Sequence, residues 1–149
     1  MLNQDFRDML SALSDAGADY LLVGAYALAS HGLVRATQDL DLWVRATPEN
    51  ADRVVAALVA FGAPTGHVDR DDFTVPDTVV QLGVDPVRID LLTSVSGLDF
   101  SAAWDHRQIL ELDGITVPVI SLEDLAANKR ASGRPQDLVD LQWLEDARE

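Results

Sequence analysis

The sequence predicts a mixed α/β (α+β) fold in which one small mixed β-sheet is flanked by helices. Apolar runs of strand length alternate along the chain with longer stretches whose apolar residues recur at helical spacing. The 149 residues, 48% of them apolar, are enough to build a sizeable core, and no linker or internal repeat divides them. We therefore expect one domain over residues 1–149.

The first half of the chain predicts helices and strands in alternation. Apolar residues at helical spacing begin after Asn3, which is suited to an N-cap, and Gly17 ends this pattern. Thr47-Pro48 is a typical helix start, with threonine at the cap and proline in the first turn. The expected elements are a helix over residues 4–16, a strand over residues 20–23, a helix over residues 25–31, a strand over residues 40–44 and a helix over residues 48–61.

The second half predicts a hairpin, a last strand and closing helices. Pro118 predicts an edge position for the last strand, since proline cannot donate a ladder hydrogen bond. In the closing helix, Leu138, Leu141 and Leu144 are expected to face inward. The expected elements are extended segments over residues 73–82, a hairpin of residues 79–82 with residues 87–92, a short helix over residues 99–108, a strand over residues 115–120, a helix over residues 121–131 and a closing helix over residues 136–148.

The composition excludes several classes of protein. There is no cysteine, so disulfides, thiolate metal sites and cysteine nucleophiles are excluded. No apolar run has the length of a membrane span, and the N-terminus lacks the pattern of a signal peptide, so we expect a cytoplasmic protein with no membrane partner. The net charge of −14 disfavours nucleic-acid backbones unless basic residues cluster or a cation intervenes. It predicts a solvated acidic surface or, alternatively, a face for a basic partner protein.

Two aspartates, Asp39 and Asp41, mark the chemically informative stretch of the chain. Strand alternation puts them on one face, with Leu40 and Leu42 on the other. Two neighbouring carboxylates in an apolar segment repel each other and resist burial, so a cation between them is the natural reason for such a pair.

A third carboxylate, Asp90, lies inside the apolar strand over residues 87–92, on the same face as Arg88. If the two strands are neighbours, the three aspartates can converge. Carboxylates without cysteine or spaced histidines suit Mg²⁺ or Mn²⁺, and two such ions could clamp the attacking and leaving oxygens of a phosphoryl or nucleotidyl transfer. The alternative is ordinary ion pairing, of Asp39 with Arg35 or Arg45 and of Asp90 with Arg88.

Taken together, these residues resemble the DNA polymerase beta-type nucleotidyltransferase superfamily. The resemblance rests on Gly24 directly after a strand, a short helix, Asp39-x-Asp41, and the distant Asp90. The tail is similar to the last motif of the AbiEii type of minimal nucleotidyltransferases, many of them toxins of type IV toxin–antitoxin systems. The tail residues that carry this likeness are Lys129, Arg134, Asp137 and Asp140.

The resemblance implies a nucleotidyltransferase-type sheet and a role for each matched residue. Asp39, Asp41 and Asp90 would bind two Mg²⁺ or Mn²⁺ ions, with Asp90 acting as, or assisting, the general base. The substrate would be an NTP, and its NMP would pass to a hydroxyl of a tRNA, a protein or a small molecule with release of pyrophosphate. The nucleotide would be bound by Gly24 and Ala25, through the backbone that cradles the triphosphate, and by Lys129, Arg134, Asp137 and Asp140.

Two positions depart from the pattern of the superfamily. Ala25 stands where a glycine or serine is common, and Gln136 stands where a lysine is common. These departures leave open an alternative function, a catalytically weak or inactive protein of this fold that acts as an antitoxin or protein-binding module. A modifier of small cationic molecules, of the aminoglycoside-nucleotidyltransferase kind, is a third interpretation.

Overall fold

The computed structural model describes residues 2–33, 39–63, 68–84 and 87–147. Within these ranges, six strands form one sheet, and six helices and one 3-10 turn (Arg70–Phe73) surround it. The strands are β1 (Tyr20–Val23), β2 (Asp39–Val44), β3 (Val79–Val84), β4 (Val87–Leu92), β5 (Gln108–Leu112) and β6 (Ile115–Val119). The helices are α1 (Gln4–Asp15), α2 (Gly24–Ser30), α3 (Pro48–Phe61), α4 (Phe100–Asp105), α5 (Leu122–Ser132) and α6 (Pro135–Ala147).

The sheet has the strand order β3-β4-β2-β1-β6-β5 and is mixed. The pairs β2–β4 and β1–β6 are parallel, and the other three pairs are antiparallel. The predicted mixed α/β fold is confirmed. β2 and β4, which carry the three aspartates, are direct neighbours near the centre of the sheet.

Alternation along β2 separates an apolar face from a functional one. Leu40, Leu42 and Val44 are fully buried on the apolar face. On the opposite face Trp43 is also buried, and its ring meets that of Phe100 in α4 edge to face, with 5.0 Å between centroids. The aspartates therefore lie at the first and third positions of a strand whose other side chains are buried.

Local capping chemistry sets the starts of the helices as the sequence predicts. The side chain of Asn3 accepts a hydrogen bond from the Phe6 amide at 2.9 Å, and that of Thr47 accepts one from the Asn50 amide at 3.3 Å. These bonds fix the first turns of α1 and α3, which pack on each other.

The strand β5 was not predicted from the sequence, and the helix before it is shorter than expected. α4 ends at Asp105, and β5 begins at Gln108, inside the expected helix. β5 pairs with β6 through a tight turn in which Asp113 and Gly114 have φ angles of 51° and 82°. An Asp-Gly pair between alternating apolar residues is a strong hairpin signal, so the missed strand was readable from that turn.

Two further expectations were wrong. β6 is not an edge strand, because β1 and β5 lie on either side of it. Its pairing with β1 is confined to its end, where the Ile120 amide donates to the Leu22 carbonyl. N–H groups alternate sides along a strand, so the nitrogen of Pro118 faces β1, as that of Ile120 does. On that side β6 forms few interstrand hydrogen bonds, so the proline removes little pairing.

The second wrong expectation concerns the closing helix. Leu138 is 53% exposed and does not face inward, whereas Leu144 is buried as expected.

Some expectations fall on residues that the structure does not describe. These include a partner role of Arg35 for Asp39 and the tip of the turn at Asp85 and Pro86. Among the described helices, none is long and apolar enough to cross a membrane.

Candidate active site

The three aspartates of β2 and β4 share one face of the sheet, called here the carboxylate face (Asp39, Asp41 and Asp90). In the parallel register, Asp41 lies opposite Asp90, and Asp39 lies opposite Arg88. Residues opposite each other in paired strands project to the same side. Asp90 is buried, with 7% of its surface exposed, while Asp39 and Asp41 are partly exposed.

Asp41 resists ionisation in this surrounding. Its pKa is raised from 3.8 to about 6, first by burial and then by the charges of Asp90 and Asp39, while the charge of Arg88 acts against them. A hydrogen bond between the carboxyl groups of Asp41 and Asp90 adds to the rise in the pKa. The carboxylate face thus carries more negative charge than its own surroundings neutralise.

Arg88 is the cation that the fold supplies to the carboxylate face. Its Nε and Nη2 donate to Oδ1 and Oδ2 of Asp90 at 3.1 and 3.3 Å. Nη2 also donates to Oδ2 of Asp39 at 3.3 Å. The ion pair of Arg88 with Asp90, expected as the ordinary alternative, is therefore present, and the same guanidinium joins Asp39 to it.

The donor chemistry of the carboxylate face fits a hard divalent cation. Its oxygens are the ligands that Mg²⁺ and Mn²⁺ prefer, and the raised pKa of Asp41 marks an unmet need for positive charge. Over the described ranges, however, no three acidic or histidine side chains lie close enough together to form a metal cluster as they stand. The guanidinium of Arg88 lies against both Asp39 and Asp90.

Gly24 lies directly against the carboxylate face. It follows β1, where Val23 pairs with Asp41, and it has a φ of 71°. A Cβ atom at Gly24 would overlap Oδ2 of Asp41. Glycine is therefore required here both by its backbone conformation and by the close approach of a carboxylate.

A second cluster joins α5 to α6. Lys129 is buried, and its Nζ lies 3.2 Å from Oδ1 of Asp137 and 3.4 Å from Oδ2 of Asp140. Asp137 and Asp140 are 1% and 2% exposed. Nε of Arg134 donates to Oδ2 of Asp137 at 2.7 Å. The structure therefore shows both aspartates holding the basic residues of the tail in place.

Burial and the basic partners of Asp137 shift its pKa in opposite directions. Burial, the largest single effect, raises its pKa, but the hydrogen bonds and charges of Arg134 and Lys129 together outweigh burial and hold the pKa below its usual value. Asp137 is therefore ionised near neutral pH.

A cleft of about 290 Å³ connects this tail cluster to the start of α2. Because Ala25 follows Gly24 directly, the cleft and the carboxylate face meet at the Gly24-Ala25 dipeptide. Gln136 lies in the same cleft, where its amide donates to Oδ1 of Asp140 at 3.1 Å. The cleft is lined by Ala25, Leu28, Lys129, Arg134, Pro135, Gln136, Asp137 and Asp140.

The sequence profile of one protein family, described as "Nucleotidyltransferase of unknown function (DUF6036)", matches residues 1–145. The chain belongs to this family. The expected nucleotidyltransferase superfamily is thereby confirmed, while the AbiEii-like subtype stays a prediction.

Two of the solved structures that share the fold of this DUF6036 family member are described as nucleotide-transferring proteins. One is a candidate nucleotidyltransferase from Thermotoga maritima (TM1012), with a TM-score of 0.61, 17% identity, and coverage of 95% of this chain and 91% of the other. The second is the lincosamide antibiotic adenylyltransferase LnuA in its lincomycin-bound form, with a TM-score of 0.59, 15% identity, and coverage of 99% and 98%. At these identities the likeness is one of fold. No curated protein matches the chain.

The structure places Asp39, Asp41 and Asp90 on one face, as predicted, and the roles of these residues and of the tail residues stay predictions. Alternation predicted Arg88 on the same face as Asp90, as the partner of that aspartate. The contact of Arg88 with Asp39 depends on strand register and was not readable. The alternative pairing of Asp39 with Arg45 was wrong in the described structure, since Arg45 pairs with Asp19 at 2.8 Å.

Proposed function

We propose that this chain is a metal-dependent nucleotidyltransferase that moves NMP from an NTP to a hydroxyl acceptor and releases pyrophosphate. The observation that carries the proposal is the carboxylate face on two adjacent parallel strands, beside Gly24 and the cleft that holds Lys129. Membership of the DUF6036 family supports nucleotidyl transfer in general.

Each part of the site has a role in this proposal. Asp39, Asp41 and Asp90 hold Mg²⁺ or Mn²⁺, two ions in the complete site, and Asp90 assists removal of the acceptor's proton. When bound, the metal neutralises phosphate charge and polarises the reacting oxygens. The triphosphate lies along Gly24 and Ala25. Lys129 and Arg134 balance its charge, and Asp137 and Asp140 keep them in place.

The charge distribution favours a cationic or neutral acceptor over a polyanion such as tRNA. The chain has a net charge of −14, and within the described ranges six of its basic side chains are already paired with carboxylates. A nucleic-acid backbone needs several cations available to it. LnuA, which has this fold, is an antibiotic adenylyltransferase seen with lincomycin bound. We therefore propose a small molecule as the first acceptor class to test, before tRNA and a partner protein.

Thermal unfolding of the purified chain with each NTP in the presence of Mg²⁺ tests the proposal directly. We expect at least one NTP to raise the unfolding temperature in the wild type but not in Asp41→Asn. Asp52→Asn is the matched control, because Asp52 is an acid paired with Arg70 in an exposed ion pair. The absence of a shift with every NTP in the wild type would contradict the proposal.

Transfer of labelled nucleotide identifies the acceptor. Incubation with labelled NTP and Mg²⁺ in the presence of amine-bearing small molecules, tRNA, or cell protein should label one class. Loss of labelling in Asp41→Asn, with retention in Asp52→Asn, would tie the activity to the carboxylate face.

A second candidate is a weak or inactive nucleotidyltransferase-fold protein that acts as the antitoxin of a toxin–antitoxin pair or as another protein-binding module. Two observations favour it. Lys129 is held between two buried carboxylates, and Gln136, in a position where lysine is common, is bonded to Asp140. A tight complex with a basic partner protein that persists unchanged in Asp41→Asn would support this candidate.

A further inference from the structure

Arg88 lies among the carboxylates of the carboxylate face and is less exposed to solvent than the partners of a typical surface ion pair. Its Nε and Nη2 donate to Asp90 at 3.1 and 3.3 Å, and its Nη2 also donates to Asp39 at 3.3 Å. Its side chain is 27% exposed, and that of Asp90 is 9% exposed. Ion pairs in such partly buried positions interact more strongly than exposed ones, because less water screens them.

The position of Arg88 follows from strand register. Asp39 and Arg88 are opposite each other in the parallel β2–β4 pair, and Asp41 and Asp90 are opposite each other two residues further along. A guanidinium two residues before Asp90 on the same strand face must therefore lie among the same carboxylates that a divalent cation would use. Both cations need the oxygens of Asp39 and Asp90.

We propose that Arg88 is the built-in counter-cation of the carboxylate face, and that a divalent metal binds only by displacing its guanidinium from Asp39 and Asp90. The inference rests on the proposed metal dependence and deepens it. Arg88 is a positioning residue: it keeps three repelling carboxylates in one place without metal, and it sets the metal affinity of the site by competing for their oxygens.

The two roles that Arg88 could have predict opposite results. If Arg88 competes with the metal, its removal strengthens metal binding, since a cation within a few ångström of a carboxylate commonly lowers its affinity for another cation by about 10-fold or more. If Arg88 were only a structural support, its removal would let the carboxylates separate, and metal binding would weaken.

The test measures the binding of Mn²⁺ to the metal-free full chain by electron paramagnetic resonance of the free ion, at fixed ionic strength. Arg88→Gln removes the charge, and Arg88→Lys keeps a point charge but loses the two-nitrogen contact. Arg45→Gln is the matched control, because Arg45 has a similar exposure of 22% and pairs with Asp19. We expect Arg88→Gln to bind Mn²⁺ at least about 10-fold more tightly than the wild type, Arg88→Lys to fall between them, and Arg45→Gln to match the wild type.

Several outcomes would overturn the inference. Unchanged or weaker Mn²⁺ binding by Arg88→Gln, in a wild type that does bind Mn²⁺, would refute the role of Arg88 and leave the proposed function standing. Failure of the wild type and all three variants to bind Mn²⁺ would refute the metal dependence itself. If Arg88→Gln does not fold, Arg88→Lys decides: tighter binding than the wild type supports competition, and equal or weaker binding refutes it.

Discussion

At the scale of single residues, Asp41 is destabilising in its ionised form. Its pKa is raised to about 6, so the folded chain keeps a proton that the unfolded chain has already released. Stability in the absence of metal therefore falls as the pH rises from about 4 to about 6 and changes little through this group above that range. We expect Asp41→Asn, which cannot ionise, to lack this loss.

Urea unfolding in chelator at several pH values measures the effect. At pH 7 Asp41→Asn should be more stable than the wild type by roughly 1–3 kcal/mol, and the difference should vanish below about pH 4. A variant less stable than the wild type at pH 7 would show that the ionised carboxylate is well compensated in the metal-free fold. Excess Mg²⁺ should stabilise the wild type but not Asp41→Asn.

Gly24 is a second residue whose effect can be isolated. Gly24→Ala should destabilise the chain more than Gly17→Ala, although both glycines have nearly the same φ, 71° and 72°. A Cβ at Gly17 meets nothing within 4 Å, whereas one at Gly24 meets the carboxyl group of Asp41. The shared backbone strain costs about 1–2 kcal/mol, and the contact with Asp41 should add at least about 1 kcal/mol. An equal fall in unfolding temperature for Gly24→Ala and Gly17→Ala would show that the side chain of Asp41 moves away from the added Cβ at no cost.

At the scale of elements, the contact between α5 and α6 offers a buried and an exposed ion pair across the same two helices. Lys129 and Asp137 form the buried pair, while Arg130 and Glu145, with side chains 56% and 42% exposed, form the other. Asp137→Asn should cost roughly 2–4 kcal/mol at pH 7, and Glu145→Gln less than about 1 kcal/mol.

Chemical denaturation across pH checks the cause of this difference. Because the pKa of Asp137 is held below its usual value in the folded chain, its stabilising effect is present above about pH 4 and is lost as the pH falls through the folded pKa. The difference in unfolding free energy between Asp137→Asn and the wild type should therefore become smaller at acidic pH. A difference in unfolding free energy that does not change with pH would show that the variant loses stability through packing and not through charge.

At the scale of the whole molecule, the net charge of −14 implies self-repulsion in the compact state. Raising NaCl from about 0.02 M to about 0.3 M should therefore raise the unfolding temperature, since screening shortens the reach of like charges. Mg²⁺ at matched ionic strength should add a further increase in the wild type that Asp41→Asn lacks. An increase of equal size in both proteins would mean that Mg²⁺ acts only by screening.

Features that depend on near neighbours along the chain were predictable from the sequence alone. Alternation placed Asp39 and Asp41 on one face of β2, and Asp90 beside Arg88 on one face of β4. Capping residues such as Asn3 fixed the helix starts. These properties follow from the geometry of a few consecutive residues, so they did not require the fold.

Which of these faces meet depends on the three-dimensional packing of the chain. The parallel pairing of β2 with β4 brings Arg88 onto Asp39, and the packing of α6 on α5 buries Asp137 against Lys129. Strand partners, register and burial depend on residues far apart in the chain, and the local pattern of one segment does not contain them.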